Sequence, residues 1–353
     1  MPSSVLFTLA CQSGPMTVER QEVAGTEDVI SGEALERLRR ALLGYGYRML
    51  GSHSDAEDAV QETLTRAWRL RNRFDPSRGS VRTWVHKIMT NICVDIMRAR
   101  GRRSRAVDLG PPSDPGADLG DPRQDIWIEP IPDDAFLPAT ADPAELVAER
   151  HSFRLALIAA LQELPPRQRA VLILRDDLSW RAAEVAELLD ASTASVNSSL
   201  QRARKRIQAI EMHKTEPLQP LDESQRVLLD RYVAAFEDHD VEGLVSLLAK
   251  DATLSMPPFG WWLSGRAGIR AALLTEDADC DRSRLVPVAA NGSPGFGQYV
   301  YSVEWGAYLP RALQSLELAD GRIVALTAYL DAEALFPRFG LPSRLHAVHH
   351  LDM

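Results

Sequence analysis

Asn91, Asp95, Arg98 and Arg102 form a polar row at helical spacing in "RTWVHKIMTNICVDIMRARGRR", residues 82–103, beside an apolar stripe of Trp84, Ile88, Ile92 and Ile96. Basic side chains in such a row suit phosphates, Asn and Arg can read base edges, and an aromatic near the N-terminal end can stack on an unpaired base. A core helix with a charged end would carry the same pattern. A second cluster lies in "SVNSSLQRARKRI". There Ser195, Asn197, Ser198 and Gln201 precede Arg202, Arg204, Lys205 and Arg206, which are placed for phosphate contact.

Helices must carry both clusters. In "ALERLRRALLGYGYRMLG" the residues Leu35, Leu38, Leu42, Leu43 and Met49 fall near helical spacing. "SDAEDAVQETLTRAWRL" predicts a helix capped by Ser54, with Ala56, Val60, Leu64, Ala67 and Trp68 inward and Asp55, Asp58, Gln61 and Glu62 on the opposite face. That acidic face also reads as an ordinary solvated surface. Around the second cluster, three apolar sets predict three helices: Ala170, Val171, Leu172 and Leu174; Ala182, Val185, Ala186 and Leu189; Val196, Leu200, Ala203 and Ile207. A tight turn at Asp190 to Ser192 joins the last two, a helix-turn-helix arrangement suited to a major groove.

Composition agrees with this division. The chain has 353 residues, room for two or three domains, with the apolar and charged content of a globular protein. Its formal net charge of -9 is segmented. Residues 28–105 carry +7 and 146–214 carry +3, whereas 1–27 carry -2, 106–145 carry -9 and 215–353 carry -8. Two basic blocks divided by an acidic stretch mark a candidate nucleic-acid binder. Residues 106–145, dense in Pro, Gly and Asp, predict a tether, with an apolar knot at Ile126, Trp127 and Ile128 that can dock on a neighbouring domain and reads equally as a local cluster without a role. Residues 1–27 predict a disordered extension, with Met16 an alternative start. Cys11, Cys93 and Cys280 lack the spacing of a zinc cluster or disulfide framework, which fits a reducing cytoplasm. No apolar run approaches the roughly 18 residues of a membrane span.

From Ser54 to Arg103 the chain resembles region 2 of bacterial sigma factors of the extracytoplasmic-function group, which give core RNA polymerase its promoter specificity. The resemblance implies that Asp55, Asp58, Gln61 and Glu62 face the clamp helices of the polymerase largest subunit. It implies that Trp84, Lys87, Asn91, Asp95, Arg98 and Arg102 melt and read the -10 element of promoter DNA. "LPPRQRAVLILRDDLSWRAAEVAELL" followed by "SVNSSLQRARKRI" is similar to region 4 of the same family. That likeness implies -35 contacts from Ser195, Asn197, Ser198, Gln201, Arg202 and Lys205. The chain departs from the family's common form at Asn197 and Ser199, where that form has basic residues.

Residues 215–340 read as helices followed by strands. The strand candidates are "LVPVAAN", "GQYVYSVEWGAYL", "ALQSLEL" and "IVALTAYL", the last pair joined through Asp320-Gly321, a hairpin signal. Together with "MPPFGWWLSGRAGIRAAL", this α+β cone resembles the SnoaL-like branch of the nuclear-transport-factor-like fold. The resemblance implies an apolar pocket for a small hydrophobic ligand, and Trp261, Trp262, Tyr299, Tyr301, Trp305 and Tyr329 are candidates to line it. They would equally serve to fill the cone. Asp230, Asp238 and His239 have the chemistry of an acid/base pair, but no spacing assembles them, so no catalytic residue and no cofactor is assigned. His346, His349 and His350 in the tail, residues 341–353, have ligand-like spacing but lack a fourth ligand, so no metal is assigned.

The expected architecture is multidomain: two all-α DNA-binding modules, residues 28–105 and 146–214, and a C-terminal α+β cone. The expected function is that of a non-enzymatic sigma subunit regulated in cis by its acidic C-terminal domain. Two other readings stand beside it: a polymerase-independent DNA-binding regulator that senses a small molecule, and an enzyme acting through the cone.

Overall fold

The computed structural model describes residues 30–123, 126–137, 143–210, 215–219, 222–275 and 282–346. The expected extension over 1–27, together with Cys11, Cys280, His349 and His350, lies outside the described residues.

Four helices build the first module: α1 (Gly32–Glu36), α2 (Arg39–Leu50), α3 (His53–Leu70) and α4 (Val81–Arg100). The break after α1 divides a stretch that hydrophobic spacing alone reads as continuous. Leu42, Tyr45 and Met49 of α2 meet Ala56, Val60 and Leu64 of α3 and Val85, Met89 and Ile92 of α4. Gly46 allows the α2 backbone to approach Met89 and Ala56, because a Cβ there would collide with the Met89 side chain. Helix α3 is capped by Ser52 rather than Ser54, its hydroxyl accepting from Asp55 N.

The linker contains the short α5 (Asp133–Phe136), and the second module is built from α6 (Pro143–Phe153), α7 (Leu155–Gln162), α8 (Pro166–Leu172), α9 (Ala182–Leu188) and α10 (Thr193–Gln208). Asp190 adopts φ +48° in the turn between α9 and α10, and Ser192 caps α10. The two helical modules share one hydrophobic core that runs from Ile30 to Ala203. Buried arginines stitch them together. Arg169 reaches Gln162 Oε1 at 2.7 Å and the carbonyl of Met49, and Arg48 pairs with Asp177 at 3.3 Å while lying 4.3 Å above the Phe153 ring.

The C-terminal domain contains α11 (Glu223–Glu237), α12 (Val241–Leu247), β1 (Leu248–Ser255), β2 (Trp262–Ser264), α13 (Gly265–Leu273), β3 (Ser283–Ala290), β4 (Ser293–Ser302), β5 (Ala307–Ala319), β6 (Arg322–Tyr329), α14 (Ala332–Leu335) and β7 (Leu345–His346). The sheet order is β2-β1-β6-β5-β4-β3, with β7 on β5; β1 and β6 are parallel and the other pairs antiparallel. The segment "GQYVYSVEWGAYL", read as one strand, reverses at Gly306 (φ +56°), and its end continues into "ALQSLEL" as the single strand β5. One sheet face carries the three long helices, through Tyr232, Phe236, Leu244, Leu254, Leu316 and Ile323. Alternation along the strands turns Thr253, Ser255, Ser315, Glu317, Thr327 and Tyr329 to the other face.

Candidate polymerase and promoter interface

Asp58 and Gln61 are exposed on α3, and Glu62 is half-buried and paired with Arg66 at 2.5 Å. Asp55 departs from the expectation. Its side chain is 6% exposed, bonded to Arg103 at 2.8 Å and paired with Arg100. The basic run after α4 folds back onto the first turn of α3 and buries this carboxylate, so Asp55 anchors the end of α4 and is not part of an outward acidic face. Trp68, placed inward by its spacing, is 45% exposed with the Arg71 guanidinium 4.2 Å above its ring. Leu64 and Ala67 already close the core there, leaving Trp68 on the same open side as Gln61.

Along α4, Asn91, Asp95, Arg98 and Arg102 are exposed as the polar row predicts. Asp95 pairs with Arg98 at 3.4 Å, and Arg102 pairs with Glu163 at the end of α7. Trp84 is half-buried against Phe74, ring centroids 5.4 Å apart. It lines a cleft of about 290 Å³ whose opposite wall is Glu187, Leu188 and Asp190 of the other module. Across it Lys87 Nζ lies 2.6 Å from Asp190 Oδ1. Beneath, the His86 ring packs 4.9 Å from Trp180, and burial pushes its pKa down to about 4.

On α10, Ser195, Asn197, Ser198, Gln201, Arg202 and Lys205 are all exposed and share the solvent face. Arg202 donates to Ser198 at 2.6 Å and Ser199 at 3.2 Å. Ser199 itself is buried, so only the departure at Asn197 falls on the exposed face.

The linker is docked, not a free tether. Trp127 is buried and its indole donates to Pro258 O at 2.8 Å, while Ile128, Ile131 and Phe136 join the helical core. Glu129 accepts from Ser54 at 2.9 Å and pairs with Arg338 of the C-terminal domain at 3.4 Å. The apolar side chains supply the burial that the Pro- and Gly-rich composition otherwise lacks.

Asn291, which sequence reasoning missed, sits at the centre of this junction. Asn291 and Gly292, with φ +57° and +67°, form the turn between β3 and β4. Asn291 is fully buried and donates to Tyr47 Oη at 2.6 Å and Phe153 O at 2.8 Å. Its Oδ1 accepts from Ile131 N at 3.0 Å. Gly292 N donates to Asp133 Oδ1 at 2.7 Å, and a side chain at Gly292 would strike the backbone of Arg150. One turn thus touches both helical modules and the linker. The Asn-Gly dipeptide could have signalled the turn, though nothing local marks what it enters.

The six aromatics expected around a common pocket are dispersed. Tyr299 packs on Phe336 on the outer sheet face, and Tyr301 on Tyr308. Trp305 is 63% exposed in the hairpin turn, and Tyr329 faces the linker with Arg105 and Glu317. Trp262 donates to Gly110 O at 3.1 Å. Only Trp261 lines the mouth of the cone. The bulge between Gln298 and Tyr299 and the two-residue alternation put most of these aromatics on the wrong side. The inner cavity, about 70 Å³, instead carries a polar chain in which Tyr232 Oη donates to Gln314 at 2.7 Å and Gln314 to Gln298 at 3.0 Å. No Asp, Glu or His is among the described residues lining it, and Asp230 and Asp238 are exposed elsewhere. Among the described residues no group of three potential metal ligands occurs, and no helix is long and apolar enough to cross a membrane.

Residues 34–103 match the Sigma-70 region 2 family, 154–207 the Sigma-70 region 4 family, and 229–326 the SnoaL-like domain family. The chain is 43% identical over 315 residues to the ECF RNA polymerase sigma factor SigG of Mycobacterium tuberculosis, covering 88% of this chain and 83% of that protein. It is 30% identical over 221 residues to the sigma factor SigJ of the same organism, 62% of each chain. The crystal structure of SigJ shares the fold with a TM-score of 0.56, over 88% of this chain and all of that one, at 22% identity. An acidic-faced α3, a basic α4, a helix-turn-helix and an appended cone occur here in one order, and the chain belongs to the extracytoplasmic-function sigma factors, non-enzymatic subunits that bind core RNA polymerase and direct promoter-specific initiation.

Proposed function

We propose that this sigma factor is held closed by its own C-terminal domain, and that the closed arrangement admits core polymerase before it admits promoter DNA. The observation that carries the reading is Asn291, whose side chain bonds to Tyr47 of the first helical module, Ile131 of the linker and Phe153 of the second. In this reading residues 28–105 and 146–214 are the two DNA-binding units, 106–145 the linker and 215–340 the regulatory unit.

Asp58, Gln61 and Glu62 meet the clamp helices of the largest polymerase subunit; their outward position on α3 supports this, and Asp55 acts only by fixing the end of α4. Trp84, Lys87, Asn91, Asp95, Arg98 and Arg102 serve the -10 element. In the closed chain Lys87 is neutralised by Asp190, and Glu187 walls the cleft beside Trp84, so region 4 puts acidic groups where a nucleic-acid backbone would lie. Ser195, Asn197, Ser198, Gln201, Arg202 and Lys205 serve the -35 element from an open face. The factor works in the cytoplasm with polymerase, and the cone acts as a regulator and not as a catalyst.

The test is transcription with core polymerase by the full chain and by residues 1–214, whose helical core includes no side chain beyond that limit. Higher promoter-dependent output from the shorter chain supports restraint in cis. Equal output from both refutes it.

A further inference from the structure

Residues 113–119 of the linker cross the mouth of the cone. Ser113 N donates to Trp262 O at 2.8 Å, Trp262 Nε1 donates to Gly110 O at 3.1 Å, and Leu119 packs against the cone's core. A cavity of about 510 Å³ is left beneath this strap, bounded by Pro115 and Leu119 on one side and by Met256, Trp261, Leu273 and Ala328 on the other. Its volume is in the range of small-molecule sites, which span roughly 300–1,000 Å³. It shares Met256, Leu273, Gln298 and Ala328 with the inner cavity and opens past the exposed Asp118 and Arg311. Trp261 is 5% exposed, yet its indole N–H meets no acceptor among the described residues. Buried donors are rarely left so unless something completes them.

We propose that this space is a ligand site built jointly by the cone and the linker, taking an apolar molecule with one hydrogen-bond acceptor and a polar end, and that its occupant fastens the linker to the cone. Apolar walls select the body of the ligand, a turn of the Trp261 ring toward the cavity would offer its closed-off N–H to a carbonyl, carboxylate or sulfonate oxygen, and the charged rim keeps the polar end in water. The site exists with the strap in place, so the ligand touches both walls only in the closed chain. A ligand shifts an equilibrium toward the state it binds better, and this one therefore holds the factor closed. The inference rests on restraint in cis by the C-terminal domain and gives that restraint a signal.

The probe is 1-anilinonaphthalene-8-sulfonate, titrated into the full chain by fluorescence. The expected result is saturable, stoichiometric binding that weakens about tenfold in Ala272→Trp, which fills the cavity from α13, and in Leu119→Ala, which loosens the strap. Arg123 is the only Lys or Arg between Arg105 and Arg150, so tryptic cleavage there reports on the linker. Saturating probe is expected to slow it several-fold. Unchanged binding in Leu119→Ala means a pocket of the cone alone and overturns the proposal, as does unchanged cleavage at Arg123. Should Ala272→Trp fail to fold, Leu119→Ala on the exposed strap still decides. Equal transcription by residues 1–214 and the full chain would sink restraint in cis while leaving the probe titration intact, so the two failures are read separately.

Discussion

Lys87 and Asp190 are 2.6 Å apart, which joins the helix implicated in -10 recognition to the turn of the helix-turn-helix. The pair lies at the surface, and its carboxylate is largely exposed, so it contributes at most about 1 kcal/mol. In the proposed reading its importance is positional: it occupies a cation assigned there to the -10 element.

Asp190→Asn therefore frees Lys87 at little cost to the fold. Binding of a single-stranded -10 oligonucleotide, followed by anisotropy, should tighten by up to about fivefold, the equivalent of ~1 kcal/mol. The gain should shrink as salt is raised. An affinity identical to that of the wild type would show that the pair does not compete with DNA.

Asn291→Ala removes the donors to Tyr47 and Phe153 and the acceptor for Ile131 N in one step. The Tyr47 hydroxyl keeps its bond to Glu129 O, and leaving Ile131 N and Phe153 O without the Asn291 side chain costs about 1–3 kcal/mol each before relaxation or water entry. Because the interface joins units with separate cores, the loss should appear as opening and not as global unfolding. Faster cleavage at Arg123 and a larger hydrodynamic radius, with the far-ultraviolet dichroism retained, are the expected results.

The helical modules were legible in sequence because their apolar spacing is local. Val60, Leu64, Val196 and Leu200 are buried as periodicity requires. Asp55 was misplaced because its environment is set by Arg100 and Arg103, some forty-five residues on, in a contact no helical period encodes. The cone's aromatics failed for a related reason. An aromatic signals burial, but which sheet face buries it depends on register, and a bulge beside Tyr299 resets that register. The linker's docking was foreshadowed only at Trp127, whose apolar surroundings stand out from the polar chain on either side.

Charge reversal separates the two roles on α3. Asp58→Lys with Glu62→Lys alters exposed or half-exposed side chains and should leave thermal stability within about 0.5 kcal/mol while abolishing co-elution with core polymerase. Asp55→Ala removes the 2.8 Å partner of the buried Arg103, which keeps only Glu129 at 3.7 Å and the Trp127 carbonyl, and should cost about 1–3 kcal/mol, read as a lowered urea midpoint. A stable Asp55→Ala protein defective only in polymerase binding would reverse the assignment.

Acidification should loosen the contact between the helical modules through His86. This imidazole is buried between Tyr45 and Trp180, with Nδ1 2.9 Å from Arg82 O, and its folded pKa of about 4 lies below the roughly 6.5 of an unfolded chain. Between those values the unfolded chain binds a proton that the folded chain excludes. Stability is therefore full above pH ~6.5 and falls as pH drops toward ~4, by roughly 3 kcal/mol at the limit. Asp133 and Asp177, whose pKa values burial raises, act in the opposite sense nearer the carboxylate range, since their protonated forms favour the folded chain. His53 and His151 are also lowered by burial, so the whole-protein profile mixes several groups. His86→Phe keeps a ring against Trp180 and removes the titration. The difference between wild-type and variant urea midpoints should therefore change between pH 7 and pH 5, the wild type losing more. A difference independent of pH would remove His86 as the source of acid sensitivity.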